Sequence, residues 1–370
     1  YAGWDAESNS YAFVNVSGYP QSGEVFSTVK GQTTGSKIRM VGQTKWLNSV
    51  VRYNNKYRPI QTITESHLGG VVRTTTQFDF VGSVLKEHTY VSQGNLTMQQ
   101  RYGYDLGGRL LTVHHQVNGQ PEILMVSNKY NEIGQLIEKN IHSTDGTNFL
   151  QSVDYRYNIK GWLTSINNTS FTQTSTNDDT NDLFGMELQF YVQNPATVGA
   201  SGDAMTQKSY YDGNVSAIKW KTDTNQGTPE ERIYVFDYDV LSRFKKAHYA
   251  KNVSTPTSPS WTGDSGMFDE VVGGYDKNGN VKVVNTSGVP QVALTRSGKI
   301  QNVKATIDQL RYGYSLSGNH SNRLIDIDDA SNHSLGFKPA SANVTEEFMY
   351  DKSGNLKFDH NKGISSILYN

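Results

Sequence analysis

The chain contains no cysteine. That excludes disulfides, thiolate metal sites and cysteine nucleophiles, and it leaves the compartment open. No apolar stretch approaches the roughly 18 residues that a membrane span needs. Basic charge is not in surplus: 34 Lys and Arg stand against 35 Asp and Glu, a net charge of −1. Basic residues cluster no further than pairs such as Lys245-Lys246. Nucleic acid is therefore not an expected partner, because its binders carry a basic patch. The N-terminus, YAGWDAESNS, has neither the basic region nor the apolar segment of a secretion signal.

What is plentiful is tyrosine and glycine, 22 and 34 residues, with aromatics at 11% and charged residues at 19%. A disordered chain has few aromatics and a high net charge. Tyr, Thr, Val and Phe suit a pleated, half-buried surface, whereas Gly and Asn suit tight turns. The composition predicts an all-β chain of many short strands. At 370 residues it is long enough for two average domains or one large β structure.

One phrase recurs. Tyr130-Asn131-x-x-Gly134-x-Leu136 is followed 27 residues later by Tyr157-Asn158-x-x-Gly161-x-Leu163. Full copies also begin at Tyr104 (Asp105, Gly108), Tyr275 (Asp276, Gly279) and Tyr350 (Asp351, Gly354). Tyr238-Asp239 heads a copy with Ser242 in place of Gly, and Tyr53-Asn54 one with Tyr57 there. Phe78 to Leu85 reads as a shortened copy led by Phe80, and Tyr210 to Val215 as a compressed one led by Tyr211. Tyr314 opens a copy that is interrupted before Arg323. The step from Tyr157 to Tyr211 is 54, twice 27, which places a worn copy near Asp182-Leu183-Phe184. A period of this size marks a repeat architecture.

The physics of a copy is that of a hairpin. An aromatic often stands two residues before the lead Tyr (Tyr102, Tyr155, Phe236, Tyr312, Phe348), on the same strand face. The Asp or Asn can bond its own turn backbone, and the Gly can take φ > 0 without penalty. The apolar residue at the sixth position, counted after the lead Tyr as are all positions in a copy, restarts a strand. After Tyr104, Leu111, Val113, His115 and Val117 alternate as such a strand should. About ten hairpins side by side give one continuous antiparallel sheet, which strand twist coils into a spiral, and each hairpin depends on its neighbours. Residues 1–50 carry no clear copy. They read as a diverged first layer of the same sheet, with strands at Tyr11–Val16 and Lys37–Val41, and 51–370 as the repeat segment. Asn167–Asp182, Lys221–Glu231 and Asn252–Gly266 read as polar surface insertions. The opening on Tyr1 and the closing Tyr369-Asn370, which looks like the start of another copy, suggest a segment of a longer chain.

The phrases at Tyr104, Tyr130 and Tyr157 resemble the core repeat of the RHS or YD-repeat family, and the resemblance covers about residues 50 to 370. It implies a sheet that spirals into a hollow shell. In bacterial members such shells enclose a C-terminal toxin or other cargo and are commonly secreted. In the animal teneurins a similar shell serves cell-surface adhesion. The Asp-containing self-cleavage motif of the family's core region is not found here, nor is a toxin domain.

Chemistry-bearing motifs are few. Gly263-Asp264-Ser265-Gly266 matches the heart of a trypsin-like serine motif, but His248 lies only 17 residues upstream, and a turn is the better reading. Gly31-x-x-x-Gly35-Ser36-Lys37 is one residue short of a phosphate loop. Asp276 to Asn280 and Asp351 to Asn355 resemble the start of a calcium loop, but position 12 is Ser287 in one and Lys362 in the other, where Glu is needed. His114 and His115, adjacent on a strand, point to opposite faces. Asp326, Asp328 and Asp329 form an acid cluster, with Asp326 and Asp328 on one face. No catalytic, cofactor or metal residues are assigned. The turn residues named above read as structural. The sequence thus predicts a non-catalytic wall whose partner is the rest of its own chain. The alternative is a surface module binding a glycan or a protein through its loops. A polysaccharide-cleaving enzyme would need paired acids roughly 5–10 Å apart in a cleft.

Overall fold

The structure, a computed structural model, describes residues 11–175, 177, 181–193, 195–200, 202, 204–223, 228–254, 259–284, 290–315, 322–339 and 346–369. It divides into two compact units, Tyr1–Tyr155 and Arg156–Asn370.

The first unit is a ladder of antiparallel strands in chain order: β1 (Gly35–Arg39), β2 (Trp46–Tyr53), β3 (Pro59–Glu65), β4 (Val71–Phe78), β5 (Val84–Val91), β6 (Leu96–Tyr104), β7 (Leu110–Val117), β8 (Ile123–Tyr130), β9 (Leu136–Ser143) and β10 (Gln151–Tyr157). Each pairs with the next. Connections alternate between two ends. The repeat turns after Tyr53, Phe78, Tyr104 and Tyr130 share one end. Ser66–Gly70, the Gly94 turn, the Gly119 turn and Thr144–Leu150 share the other.

Neither face of this ladder is dry from β4 to β7. Thr76, Glu87, Gln100 and His115 lie in register across four strands, and so do Gln77, Lys86, Arg101 and His114 in the next row. Neighbouring rows face opposite sides. Every residue of β5 and β7 is half-buried. The buried apolar cluster of this unit is small: Tyr11, Val50 and Ile63, with Val71 packed against it. It explains a departure from expectation. Tyr11–Val16 is not a strand. It lies on the sheet through side chains instead: Val14 N–H donates to Gln61 Oε1 at 3.0 Å, Gln61 Nε2 donates to Val14 O at 2.8 Å, and Arg52 Nη2 donates to Tyr11 O at 3.0 Å.

The second unit continues with β11 (Leu163–Ile166), β12 (Phe184–Gln189), β13 (Thr197–Val198), β14 (Met205–Thr206), β15 (Ala217–Thr222), β16 (Glu231–Tyr238), β17 (Phe244–Asn252), β18 (Trp261–Gly263), β19 (Glu270–Val272), β20 (Val283–Val284), β21 (Pro290–Gln291), β22 (Leu294–Ile300), β23 (Val303–Tyr314), β24 (Leu324–Asp329), β25 (Phe348–Tyr350) and β26 (Leu356–Asp359). The ladder runs β11-β12-β15-β16-β17-β19-β22-β23-β24, antiparallel throughout. Its core forms where two insertions fold over the sheet. Val198 of β13 and Trp261 of β18 pack on Ala217, Ile233, Val235 and Ala250.

The insertions are therefore less superficial than their composition suggests. Trp261 within Asn252–Gly266 is 5% exposed. In Asn167–Asp182, Asn167, Thr169, Asn177 and Asp182 are buried. They can be buried because they are paired: Asn177 Nδ2 donates to Asp182 Oδ2 at 2.8 Å, and Thr169 Oγ1 donates to Glu231 Oε1 at 2.7 Å. Part of each insertion, like Leu316–Gly318 of the Tyr314 copy and Ser287, lies outside the described residues.

Candidate functional site

The repeat turn is the most regular feature, and its geometry follows from its residues. In the Tyr104 copy, Asp105 Oδ1 accepts from the backbone N–H groups of Gly107 at 2.9 Å and Arg109 at 2.8 Å. Asp105 N–H donates to Arg109 O, and Gly108 N–H donates to Asp105 O. The same bonds recur at Asn158, Asp239, Asp276 and Asp351, and at Asn131 the bond from the Gln135 N–H and both backbone bonds recur. Gly108, Gly134, Gly161, Gly279 and Gly354 have φ between 77° and 87°. Where Gly is missing, the backbone stays left-handed: Tyr57 has φ 57° and Ser242 φ 58°.

Most of the turns carry a β-bulge. Tyr104 stands opposite Leu110, but Gly103 stands opposite Thr112. The same slip occurs at Tyr53, Phe78, Tyr130, Tyr238, Tyr314 and Tyr350. It fixes the phase of the short copies. Phe78 pairs with Val84, and Asp79 Oδ1 accepts from Gly82 and Ser83 N–H. The lead is Phe78, not Phe80, and the copy is full length. Phe80 is a tip residue, 85% exposed.

A second device links successive copies. The lead hydroxyl donates to the carbonyl of the sixth residue of the preceding copy: Tyr104 to Val84 O (2.9 Å), Tyr130 to Leu110 O (2.9 Å), Tyr275 to Phe244 O (2.5 Å) and Tyr314 to Val281 O (3.3 Å). Tyr369 reaches Leu356 O in the same way at 2.8 Å. Beside it, the fifth residue of a copy lies over the next lead ring: Arg109 over Tyr130 at 5.0 Å and Arg243 over Tyr275 at 4.4 Å.

These contacts locate the worn copy. Asp182-Leu183 only leads into β12, so no turn lies there. Trp162, fifth in the Tyr157 copy, packs on Phe190 with centroids 4.9 Å apart. Tyr238 OH donates to Val215 O at 2.9 Å. Phe190 is thus the lead and Val215 the sixth-position equivalent, with an insertion in place of the tight turn. Tyr210 to Asn214 belongs to that insertion, and Tyr211 heads no copy of its own.

The remaining motifs separate. Ser265 Oγ accepts from Ala200 N–H at 3.0 Å, while Asp264 pairs with Lys299 at 2.8 Å. Gly35-Ser36-Lys37 lies on β1, with no helix after it. His114 Nδ1 lies 3.1 Å from Glu122 Oε1, which Arg101 also holds. Asp328 pairs with Arg311 at 2.6 Å, and Asp329 accepts Gln309 N–H at 2.8 Å. Burial, then Glu347, pushes the Asp326 carboxyl up. No group of metal-ligating residues converges among the described residues.

One constellation carried no sequence signal. His248 Nδ1 lies 2.8 Å from Asp269 Oδ2, with His248 fully buried and its Nε2 unpartnered. The Asp269 carboxyl sits below its usual range: burial raises it, but the bonds from His248 and Tyr249 N–H outweigh that. The pair has the form of an oriented base, but among the described residues no hydroxyl bonds to Nε2. The pattern of β17 could not have found it, because four successive residues, Ala247 to Ala250, are all buried.

Comparison with known proteins adds the following. No family model and no curated protein matches the chain. It is similar to the crystal structures of TcdB2-TccC3 and of TcdB2-TccC3-Cdc42, each at 12% identity and TM-score 0.24. It is also similar to TcdB2-TccC3 without its hypervariable C-terminal region, at 11% identity and TM-score 0.25. Each match covers 84% of this chain and 20% of the other, so the chain spans about a fifth of those structures' length.

Proposed function

We propose that this chain is a non-catalytic stretch of wall in an RHS/YD-repeat shell, which encloses or displays another part of its own longer chain, such as a C-terminal toxin or effector. The observation that carries the reading is the sheet of the first unit with polar rows on both faces. A sheet that buries one face in its own core alternates apolar and polar. Here both faces are mixed, so both tolerate water or a polar neighbour. Cohesion runs along the wall instead, through the backbone ladder and the lock from lead tyrosine to carbonyl. Secretion or cell-surface exposure follows from the resemblance of the repeats. The test is limited proteolysis of the longer chain with and without residues 1–370. Flanking segments should resist the protease when the wall is present. Equal digestion rates would sink the reading. Ser265→Ala and Asp326→Ala should leave the biological readout intact.

A second reading, a surface binding module for a glycan or a protein, is favoured by one observation. Tyr191 and Tyr211 stack outside the repeat turns, 5.5 Å apart with planes 10° apart, and are 42% and 70% exposed.

A further inference from the structure

We propose that the second unit binds a neutral glycan at the turn of the Tyr157 copy, in a cavity built by Asn158, Glu187, Gln189 and the ring of Tyr191. The inference rests on the second reading above and gives it a place and a ligand class.

It starts from a broken rule. In other copies the second side-chain atom of the Asp or Asn is taken up by the fifth residue: Asp105 by Arg109 Nε (2.5 Å), Asp239 by Arg243 Nε (2.7 Å), Asp276 by Asn280 (2.9 Å), Asp351 by Asn355 (2.9 Å) and Asn131 by Gln135 (2.8 Å). The Tyr157 copy has Trp162 at that position. An indole offers one donor and no acceptor, and Asn158 Oδ1 is already fixed by Lys160 and Trp162 N–H. Asn158 Nδ2 is left buried and unpartnered. Such a donor costs the fold unless something supplies an acceptor.

Asn158 lines a cavity of about 330 Å³, together with Thr164, Glu187, Gln189, Phe190 and Tyr191. Such a volume lies at the small end of ligand sites and suits one or two sugar rings. The Tyr191 ring is held in place by its stack on Tyr211, so it offers an oriented apolar plate. The polar lining is neutral on balance, because Glu187 is paired with Lys219 Nζ at 2.6 Å. An acyl chain would leave Asn158 Nδ2 unpaired. A phosphate would meet the Glu187 carboxylate, and the nearby Lys160 Nζ is already bonded to Tyr211 O at 2.9 Å. A polyol fits: one hydroxyl accepts from Asn158 Nδ2, and others donate to the second lone pairs of Gln189 Oε1, which already accepts from Gln207 Nε2 at 2.8 Å, and of the Glu187 carboxylate, while its C–H face lies on the tyrosine.

The test is calorimetric titration of the full chain with cellotetraose, chitotetraose and mannotetraose, with sialyllactose as an anionic probe. One neutral probe should bind. Tyr191→Ala, at an exposed position, should weaken it at least tenfold. The double variant N158D/W162R, which installs the Asp–Arg pair of the Tyr104 and Tyr238 copies, should abolish binding without lowering the melting temperature. Neutral-glycan binding unchanged in both variants would overturn the site but leave a binding module standing. Tighter binding of sialyllactose, or no binding of any probe with adhesion to deglycosylated cells retained, would overturn the ligand class alone. No binding and no adhesion would overturn both.

Discussion

At the scale of the residue, a lead tyrosine is a strand terminus and a link at once. Its backbone ends the strand at the bulge of its own hairpin, and its hydroxyl holds the carbonyl of the hairpin before. Tyr104→Phe should remove the bond to Val84 O and lower stability by about 1 kcal/mol, read as a drop in melting temperature without change in secondary structure. Glycine acts through φ. Gly134 sits at 86°, and a Cβ there would stand 3.3 Å from Arg109 Nη1. Gly134→Val should cost about 2 kcal/mol or more, because a β-branched residue is strained at positive φ. Equal melting of variant and parent would count against the turn geometry. The sequence revealed these roles through position, and it revealed Tyr57 and Ser242 as occupants of the glycine site. It misplaced the Phe78 copy because Phe80 is aromatic too, and only strand pairing says which ring ends β4.

At the scale of the element, the turn is held by a carboxylate, and the carboxylate makes it pH-dependent. Asp105 is held low by Arg109 N–H and guanidinium, Asp239 by the Arg243 side chain and N–H, and Asp351 by Asn355. At Asp276 burial pushes upward, but the Asn280 bonds outweigh it. A folded pKa below the unfolded value of about 3.9 contributes stability that is complete above that value and lost as pH falls through the folded one. The melting temperature should therefore begin to drop as pH falls below about 4. Asp105→Asn, Asp239→Asn and Asp351→Asn combined should flatten that drop while keeping the Oδ1 acceptor. An unchanged acid profile in the triple variant would refute the assignment. The worn copy belongs to this scale as well. Its lead at Phe190 was hidden because an insertion separates it from Val215, and spacing alone spread the gap evenly.

At the scale of the whole molecule, each hairpin leans on its neighbours, so hairpins should be removable. Excising residues 105–130 joins Tyr104 directly to Asn131 and deletes β7 and β8 together. The shortened chain should fold with the same secondary structure per residue by circular dichroism. Collapse into an unfolded chain would mean that those strands hold distant contacts. The tyrosines give a second global readout. Burial pushes Tyr102, Tyr234 and Tyr314 up to about 12. Raised folded values mean stability that is intact below about pH 10 and lost as pH climbs through 12. Absorbance titration should show a class of tyrosines ionising only near there. All tyrosines titrating near pH 10 with the fold intact would contradict the burial.

By itself the sequence determined the all-β class, the hairpin unit, its phase over most copies and the positive φ at its fourth position. These are local matters, set within a few residues by the Asp or Asn side chain, the glycine and strand alternation. Only the tertiary structure decided which ring leads at Phe78 and Phe190. It alone showed that the tyrosine hydroxyl links one copy to the last. It alone buried Trp261, which stands in a polar insertion with no period to betray it. It also set Asn158 Nδ2 without a partner beside Tyr191. Except at Phe78, whose strand partner Val84 is close in the chain, each of those depends on groups far apart in sequence meeting in space, and no local pattern of residue types records such a meeting.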